Sequence, residues 1–406
     1  MTDEELDEEV IETREKHYSL RSLLKSWGPA WLVMMSGVDA ASVIAAAENG
    51  ALYGTGMIWL LLVLIIPLFV IQETAGRIGL VIGKGLGELA RKKFGGHNAV
   101  IVSFPMAVAN VLCYSLEYVG IALGFAMFGI APVVSIPLVF AANLVLVYKR
   151  KYASIEKVLI AISIVLILSY GISGYLRIAK GTGIQFTPFY FSGAPVFLFL
   201  VAVNIGSTIA PYMLFFQPSA TAEKGIGPKN LRGMRVETLI GAIVSELIVI
   251  TIGIASIGVN SGSIGLASPN TLSNALASVV GSFSPYLFGL GLISASFLAL
   301  IVISLGSTWG VSEALGHNRK NSFRVYVIES IAGVVVSLLP FGLVNMALSL
   351  LALDVIILIG PGLVLGLVAS DTKLMGKYSL HGLNLWIYWI VLFLLIGAGI
   401  ASLSRL

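Results

Sequence analysis

The chain has 406 residues, of which 11% are charged and 57% are apolar, and its formal net charge is +4. An average soluble domain carries about 25% charged residues, and its outer shell must be polar. This composition excludes a soluble enzyme, a disordered chain and a nucleic-acid-binding domain. The single cysteine, Cys113, excludes an internal disulfide framework and a cysteine-based metal cluster. The composition is typical of an all-α integral membrane protein.

Eleven apolar segments are long enough to be transmembrane helices, each of which needs about 20 apolar residues. Charged residues and helix-interrupting Gly, Pro and Asn residues separate these segments. Two long apolar stretches must each turn once, at residues 131–132 and near residues 340–342. The predicted spans, numbered 1 to 11, cover residues 28–50, 55–76, 99–129, 132–148, 155–176, 194–217, 236–258, 284–312, 325–340, 343–369 and 384–403.

The basic residues indicate how these spans are oriented. With the amino terminus in the cytoplasm, all of the 25 basic residues lie in cytoplasmic segments except Arg177, Lys180 and Arg405. Cytoplasmic loops of membrane proteins are enriched in Lys and Arg. We therefore predict a multi-pass protein of the cell membrane with its amino terminus inside and its carboxyl terminus outside. The basic loops set this orientation and do not form a nucleic-acid site.

The order of the spans suggests a division of the chain. Residues 1–26 open with an acidic run and lack the apolar segment of a signal peptide, so we interpret them as a cytoplasmic tail. This tail is either solvated or binds a partner. We predict a first five-helix repeat at 27–180, a second and inverted repeat at 181–370, and an eleventh helix with the carboxyl terminus at 371–406.

Spans 1 and 6 each contain residues that interrupt a helix near its middle. Gly37 lies in span 1, and Gly206, Pro211 and Tyr212 lie in span 6. Gly weakens a helix, and Pro removes a backbone donor. Interrupted helices at matching places in two inverted halves indicate the substrate site of a transporter. The alternative is two ordinary kinks that neighbouring helices stabilise.

Four acidic residues lie well inside predicted spans, namely Asp39, Glu117, Glu246 and Asp354. An acidic residue at the centre of a membrane helix costs roughly 2.5–3.5 kcal/mol on insertion scales, and no Lys or Arg lies deep enough to pair with these four. They therefore indicate a pathway for cations. Asp39 is the candidate substrate ligand because it lies at a helix break. Glu117, Glu246 and Asp354 are candidates for a proton or ion relay, with buried hydrogen bonding as the alternative.

The sequence contains no HExxH, Walker A or GxSxG motif. An ATP-driven pump would also need a soluble nucleotide domain, for which the chain has no room. We therefore predict a secondary transporter that is not an enzyme and has no resident cofactor. Its expected partners are a cation substrate and the lipid bilayer, without nucleotide or nucleic acid.

Several segments resemble the NRAMP family of divalent-metal transporters. Residues 39–42 occupy the place of the family's Asp-Pro-Gly-Asn motif, and Glu117 in span 3 matches the glutamate of its acidic helix. Residues 369–378 (ASDTKLMGKY) resemble the family signature that follows span 10. Span 6 is a weaker match, because residues 210–212 read Ala-Pro-Tyr where the family typically has Met-Pro-His.

This resemblance implies a LeuT-like fold of two inverted five-helix repeats plus one helix, with a metal site between the breaks of spans 1 and 6. It implies that Asp39 is the carboxylate ligand and that Ser42 replaces an asparagine amide with a hydroxyl. Ser36 and Ser207 would supply backbone carbonyls. Ala210 would stand where the family's methionine thioether binds the metal.

The departures from the family pattern change the expected metal. A thioether is a soft ligand, so its replacement by Ala210 leaves only oxygen ligands and makes room for a water. Such sites suit Mg²⁺, Mn²⁺ or Ca²⁺. The pattern resembles an NRAMP-related, magnesium-transporter-like branch that lacks the methionine. Tyr212 in place of histidine removes a group that titrates near neutral pH, so the family's usual proton coupling is not expected. Glu117 leaves a residual proton route.

Three transport functions remain open. The first is import of a hard divalent cation, Mg²⁺ or Mn²⁺, by alternating access. The second is ordinary proton-coupled Mn²⁺ or Fe²⁺ symport, with Glu117 carrying the proton. The third is symport of an amino acid or organic cation on the same fold, although Asp39 would repel a substrate carboxylate. A non-transporting sensor is disfavoured because the intramembrane acids are present.

Overall fold

The computed structural model is helical throughout the residues that it describes, with no strand among them. The predicted tail at 1–26 and the predicted turn at 340–342 lie outside these residues, as does most of the loop before span 8. The described residues are 27–149, 152–181, 184–259, 277, 281–317, 319–338 and 343–404.

Sixteen α-helices follow one another along the described chain, and one helix or a pair of helices overlaps each predicted span. We number them α1 to α16. In chain order they are Pro29–Ser36, Ala40–Tyr53, Ile58–Ile82, Leu86–Phe94, Gly96–Ala126, Pro132–Lys149, Tyr152–Ala179, Pro195–Thr208, Pro211–Lys224, Leu231–Ala255, Ser284–Leu315, Arg319–Ser337, Leu343–Ile357, Ile359–Ala369, Thr372–Met375 and Gly382–Leu403.

Eight helical segments in the described chain are long and apolar enough to cross a membrane. A ninth is added if α1 and α2, which are bent by 54° at their junction, form one span. The apolar helix α6 is shorter than these, and α12 does not meet the same test. The number of eleven crossings and the inside position of the amino terminus therefore stay predictions.

The interruption in span 1 separates α1 from α2. Gly37 caps the end of α1, and Asp39 precedes the first residue of α2 in an extended conformation. The Asp39 carboxylate accepts a hydrogen bond from the backbone N–H of Ser42 at 2.7 Å. An N-cap aspartate satisfies one of the N–H groups that a helix leaves free at its start. The acid at mid-span thus initiates the second half of the broken helix.

The interruption in span 6 lies between α8, which ends at Thr208, and α9, which begins at Pro211. Pro fits the first position of a helix because the N–H it lacks would have no helical partner there. Gly206 was expected at this break, but it lies inside α8. A Cβ atom at this position would lie 1.6 Å from the carbonyl oxygen of Leu351 in α13. Gly206 therefore lets two helix backbones approach closely.

Span 10 has a local irregularity that was not predicted. Helix α13 ends at Ile357 and α14 begins at Ile359, but Leu358 between them keeps helical dihedral angles and donates its N–H to the Asp354 carbonyl, so the segment continues as one helix. The broken helices lie at the centre of the bundle. The α8–α9 segment is 83% buried within the protein over its most apolar part, whereas α16 is only 33% buried. The breaks are therefore shielded from lipid, as irregular backbone at membrane depth requires.

Candidate metal site

Two carboxyl groups meet at the break in span 1. Asp39 is 5% exposed and caps α2, while Glu117 on α5 is 1% exposed. The Glu117 carboxylate accepts the backbone N–H of Ala40, the first residue of α2, at 3.2 Å. Among the described residues, no Lys or Arg forms an ion pair with either carboxyl group. The start of α2 therefore holds two buried carboxyl groups that have no basic partner.

Asp354 joins this acidic region from α13. It is 2% exposed, and its carboxyl group is close enough to interact electrostatically with that of Asp39. The buried thiol of Cys113 also interacts with Asp39, Glu117 and Asp354. Cys113 was not among the predicted site residues, although it precedes Glu117 by four residues and so lies on the same face of α5. Asp354 and Cys113 thus lie within electrostatic range of Asp39.

The predicted oxygen ligands of span 1 lie on both sides of the break. Ser42 is buried, and its hydroxyl oxygen has no hydrogen-bond partner in the described structure. The carbonyl oxygen of Ser36 accepts a hydrogen bond from the Tyr212 hydroxyl at 3.1 Å. A carbonyl oxygen has two lone pairs, so this bond leaves one free. Ser42 therefore offers an unused hydroxyl, and Ser36 offers part of a carbonyl.

The predicted residues of span 6 flank the second break. The hydroxyl of Ser207 donates to the carbonyl oxygen of Asn204 at 3.0 Å, and the backbone carbonyl of Ser207 lies near Gly37 at the other break. Ala210 is 3% exposed and caps α9 through its backbone, and its methyl group cannot bind a metal. Among the described residues, no three His, Cys, Asp or Glu side chains are placed to hold a metal ion together. A metal here would need hydroxyl, carbonyl or water oxygens as well.

Hydrogen bonds pair the four half-helices in a crossed manner. The second half of span 1 binds the first half of span 6 through Asn49 and Asn204, whose amides exchange hydrogen bonds of 2.8 and 3.3 Å. The first half of span 1 binds the second half of span 6 through Tyr212 and Ser36, and through Lys224 and the Trp27 carbonyl. The two breaks therefore lie between two hydrogen-bonded pairs, α2 with α8 and α1 with α9.

The start of α1 is held by acidic residues that were not among the predicted site residues. The Glu237 carboxylate on α10 accepts the backbone N–H groups of Gly28 and Trp31 at 2.7 and 2.8 Å. Lys224 also forms an ion pair with Glu156 on α7. These contacts satisfy two N–H groups at the start of α1 and tie this half-helix to α7, α9 and α10.

Long apolar helices around two central helices that are interrupted near buried acids are the architecture of a polytopic membrane transporter. The comparisons with known proteins agree with this class. Residues 30–405 match the family model described as natural resistance-associated macrophage protein-like. The chain belongs to the Nramp family. It is a multi-pass membrane transporter and not an enzyme.

The divalent metal cation transporter MntH of Klebsiella pneumoniae is 22% identical over 385 residues, which are 90% of each chain. MntH of Bacillus subtilis is 22% identical over 223 residues, and this match spans only 52% of that relative's length and 53% of this chain. The crystal structure of the Eremococcus coleocola manganese transporter matches with a TM-score of 0.79 at 17% identity, covering 96% of this chain and 88% of that one. This similarity confirms the predicted LeuT-like helical fold.

Proposed function

We propose that the protein imports a divalent metal cation, with the hard ions Mg²⁺ and Mn²⁺ preferred, by alternating access at the breaks of spans 1 and 6. The observation that carries this proposal is the buried, unpaired carboxylate of Asp39 at one break, combined with Ala210 at the other. A buried carboxylate without a basic partner attracts a cation. A methyl group in place of a soft ligand removes the preference for transition metals.

The ligand set that we propose is made of oxygen atoms. Asp39 supplies its carboxylate, Ser42 its unpartnered hydroxyl, and Ser36 and Ser207 their backbone carbonyls. Mg²⁺ gives up its waters reluctantly and is commonly bound by one or two carboxylates together with retained waters. A single carboxylate with a few neutral oxygens fits such a partly hydrated ion. The methyl group of Ala210 leaves room for one of these waters.

Transport then requires the site to open alternately to the two sides of the membrane. We propose that the two half-sites reorient around the bound cation, which enters from outside and leaves to the cytoplasm. The crossed hydrogen bonding supports this mechanism, since α1 with α9 and α2 with α8 can each move as a unit. The helix breaks between these units are the natural hinges. Glu117 and Asp354 would then help to attract and pass the cation through the membrane.

Proton-coupled Mn²⁺ or Fe²⁺ symport is the second candidate. The names of two similar proteins favour it, since one is a divalent metal cation transporter and the other a manganese transporter. The buried Glu117 would carry the proton, because it contacts the first residue of α2 next to Asp39. Tyr212 counts against this coupling, since a tyrosine hydroxyl does not titrate near neutral pH.

Uptake into proteoliposomes tests both candidates. We would measure Mg²⁺ and Mn²⁺ uptake together with a pH-sensitive dye inside the same vesicles, using Asp39→Asn as the inactive control. Uptake of both ions without acidification is the result we expect. Mn²⁺ uptake with acidification and without Mg²⁺ uptake would establish the second candidate instead. Uptake of neither ion at any pH would refute divalent-cation import.

A further inference from the structure

A small cavity lies between the two helix breaks and α10. The proposed mechanism gives this cavity no role. Its volume is about 10 Å³, and its walls come from four helices and both breaks. A cavity needs roughly 10–15 Å³ to hold one water-sized occupant. Its polar and break-forming lining residues are Gly37, Val38, Ser207, Thr208, Ser245 and Glu246.

Glu246 is the charged group of this cavity, and it is incompletely hydrogen-bonded. Its side chain is 3% exposed, and its Oε1 atom lies 3.2 Å from the Thr208 hydroxyl. The Oε2 atom is buried and has no hydrogen-bond partner in the described structure. The Thr208 hydroxyl has one hydrogen, and its shorter contact is with the carbonyl oxygen of Asn204 at 2.8 Å. Glu246 therefore receives at most a shared hydrogen bond.

The rest of the lining gives Glu246 no counter-charge. The remaining walls are the apolar side chains of Met34, Leu61, Leu68 and Val249, and the described lining contains no Lys or Arg. A buried ionised carboxylate is strongly unfavourable unless something compensates its charge. Glu246 lines a space that fits one small occupant. A small cation in that space would compensate the charge of the ionised carboxylate, which otherwise takes up a proton.

Glu246 also differs from the acids of the metal site. Glu117 contacts the backbone next to Asp39, and Asp354 interacts electrostatically with Asp39. The polar contact that the described structure gives the Glu246 carboxylate is with Thr208 in span 6. Glu246 thus contacts the end of α8 from α10, at a cavity whose lining includes Ser207 of the proposed metal site.

We propose that this cavity is a second cation site that binds Na⁺, with the Glu246 carboxylate as its charged ligand. One carboxylate balances one monovalent charge, and a one-water space excludes the hydration waters that Mg²⁺ would retain. The hydroxyls of Thr208 and Ser245 line the same cavity and keep lone pairs free while they donate to backbone carbonyls. The limited volume favours Na⁺ over the larger K⁺.

Na⁺ at this position would contact span 1, span 6 and α10 at once. It would therefore hold the two breaks in one arrangement and link the occupancy of the cavity to the movement of the half-helices. Because Glu246 is not among the proposed ligands of the divalent ion, Na⁺ binding does not depend on which metal is transported. This inference therefore goes beyond the proposed function.

Thermal unfolding of the purified protein without divalent cations tests this site directly. We would compare NaCl, KCl and choline chloride at equal ionic strength. The expected result is a concentration-dependent rise of Tm in Na⁺ that K⁺ and choline do not reproduce. Glu246→Gln should abolish the rise, and Asp39→Asn should retain it because it alters the other site. Thr208→Val should raise the Na⁺ concentration needed for half of the effect by about tenfold or more.

Three outcomes would overturn the Na⁺ site. They are equal Tm values in Na⁺ and choline, a Na⁺ effect that survives Glu246→Gln, and a Tm that follows pH alone and is insensitive to Na⁺. The last outcome would assign a proton to Glu246. If Glu246→Gln does not fold, Thr208→Val and Ser245→Ala provide the same comparison. If the natural protein shows Mg²⁺ uptake but no Na⁺ effect, only this inference is refuted. If it shows a Na⁺ effect but no divalent-cation uptake, only the proposed function is refuted.

Discussion

Replacing Asp39 by Asn or by Ala separates its role as a helix cap from its role as a metal ligand. The carboxylate accepts the Ser42 N–H at 2.7 Å and so caps α2. Asn caps a helix about as well as Asp, whereas an N-cap Ala costs about 0.5–2 kcal/mol. Both substitutions remove the buried charge. We therefore expect both variants to lose metal binding and transport, and only Asp39→Ala to lose the cap.

The expected stabilities follow from these terms. Asp39→Asn removes an unpaired acid that insertion scales place at a cost of roughly 2.5–3.5 kcal/mol, so without metal it should be at least as stable as the natural protein. Asp39→Ala should be less stable than Asp39→Asn by about 1 kcal/mol. In the natural protein, metal at a hundred times its Kd adds about 2.7 kcal/mol, and both variants should lose this increment.

Thermal unfolding with and without Mg²⁺ measures the contributions of the cap and of metal binding to stability. Uptake into proteoliposomes measures transport. Ser36→Ala is a matched control, because it keeps the backbone carbonyl that we assign to the metal and removes a hydroxyl that donates to Val33. It should retain uptake. Uptake by Asp39→Asn at the natural rate, or a metal-induced rise in its Tm, would refute the placement of the metal at Asp39.

Three further predictions concern other parts of the chain. Ala210→Met restores a thioether and should raise selectivity for Cd²⁺ and Mn²⁺ over Mg²⁺ in competition uptake; an unchanged profile would contradict our placement of span 6 at the metal. Gly206→Ala places a Cβ 1.6 Å from the Leu351 carbonyl oxygen, so overpacking should lower stability by about 1–3 kcal/mol in unfolding measurements. The ammonium of Lys93, 2.5 Å from Asp371, lowers the pKa of that carboxyl group. A lowered folded pKa contributes stability above the unfolded value of about 4 that is lost as the pH falls through the folded value. Lys93→Gln should weaken this dependence in Tm measured against pH, and the backbone N–H groups that also lower the Asp371 pKa should preserve the remainder.

The positions of the long helices were largely predictable because the hydrocarbon core imposes strict length and polarity requirements. Each predicted span overlaps a helix, and a new helix begins at Pro132 after the predicted turn. The interruptions near Asp39 and Pro211 were also predictable. A mid-span acid can cap a new half-helix, and Pro tolerates the first helical position but not the interior.

Features that depend on packing between distant segments were not predictable in the same way. Gly206 was interpreted as a helix breaker. The position instead requires glycine because the backbone of α13 lies against it, which the local sequence does not reveal. Glu237 caps α1 across 206 residues of sequence, and nothing in its neighbourhood indicates that partner. The irregularity at Leu358 had a local signal, the Gly-Pro-Gly run at residues 360–362, which the division into spans did not use.

Cys113 bears on the oxygen-only interpretation of the metal site. The loss of a soft ligand was inferred from Ala210 alone, yet a buried thiol interacts with Asp39 and with two other buried acids. A thiolate is also a soft ligand, and it binds transition metals well. If Cys113 reaches the cation in some step, Cys113→Ser should weaken inhibition of Mg²⁺ uptake by Cd²⁺. If Cys113→Ser leaves this inhibition unchanged, Ala210 remains the position at which a soft metal ligand can be restored.

The crossed pairing of the half-helices explains why two broken helices suit transport better than two kinks. A kinked helix still transmits motion along its length, so its two ends remain coupled. Here, the amides of Asn49 and Asn204 join α2 to α8, whereas Tyr212 joins α9 to α1. Each half-helix is thus hydrogen-bonded to one half of the other span. It is also joined by the main chain to the other half of its own span. In the mechanism that we propose, one pair tilts away while the other stays in place, which opens the site to one side of the membrane and keeps it closed to the other.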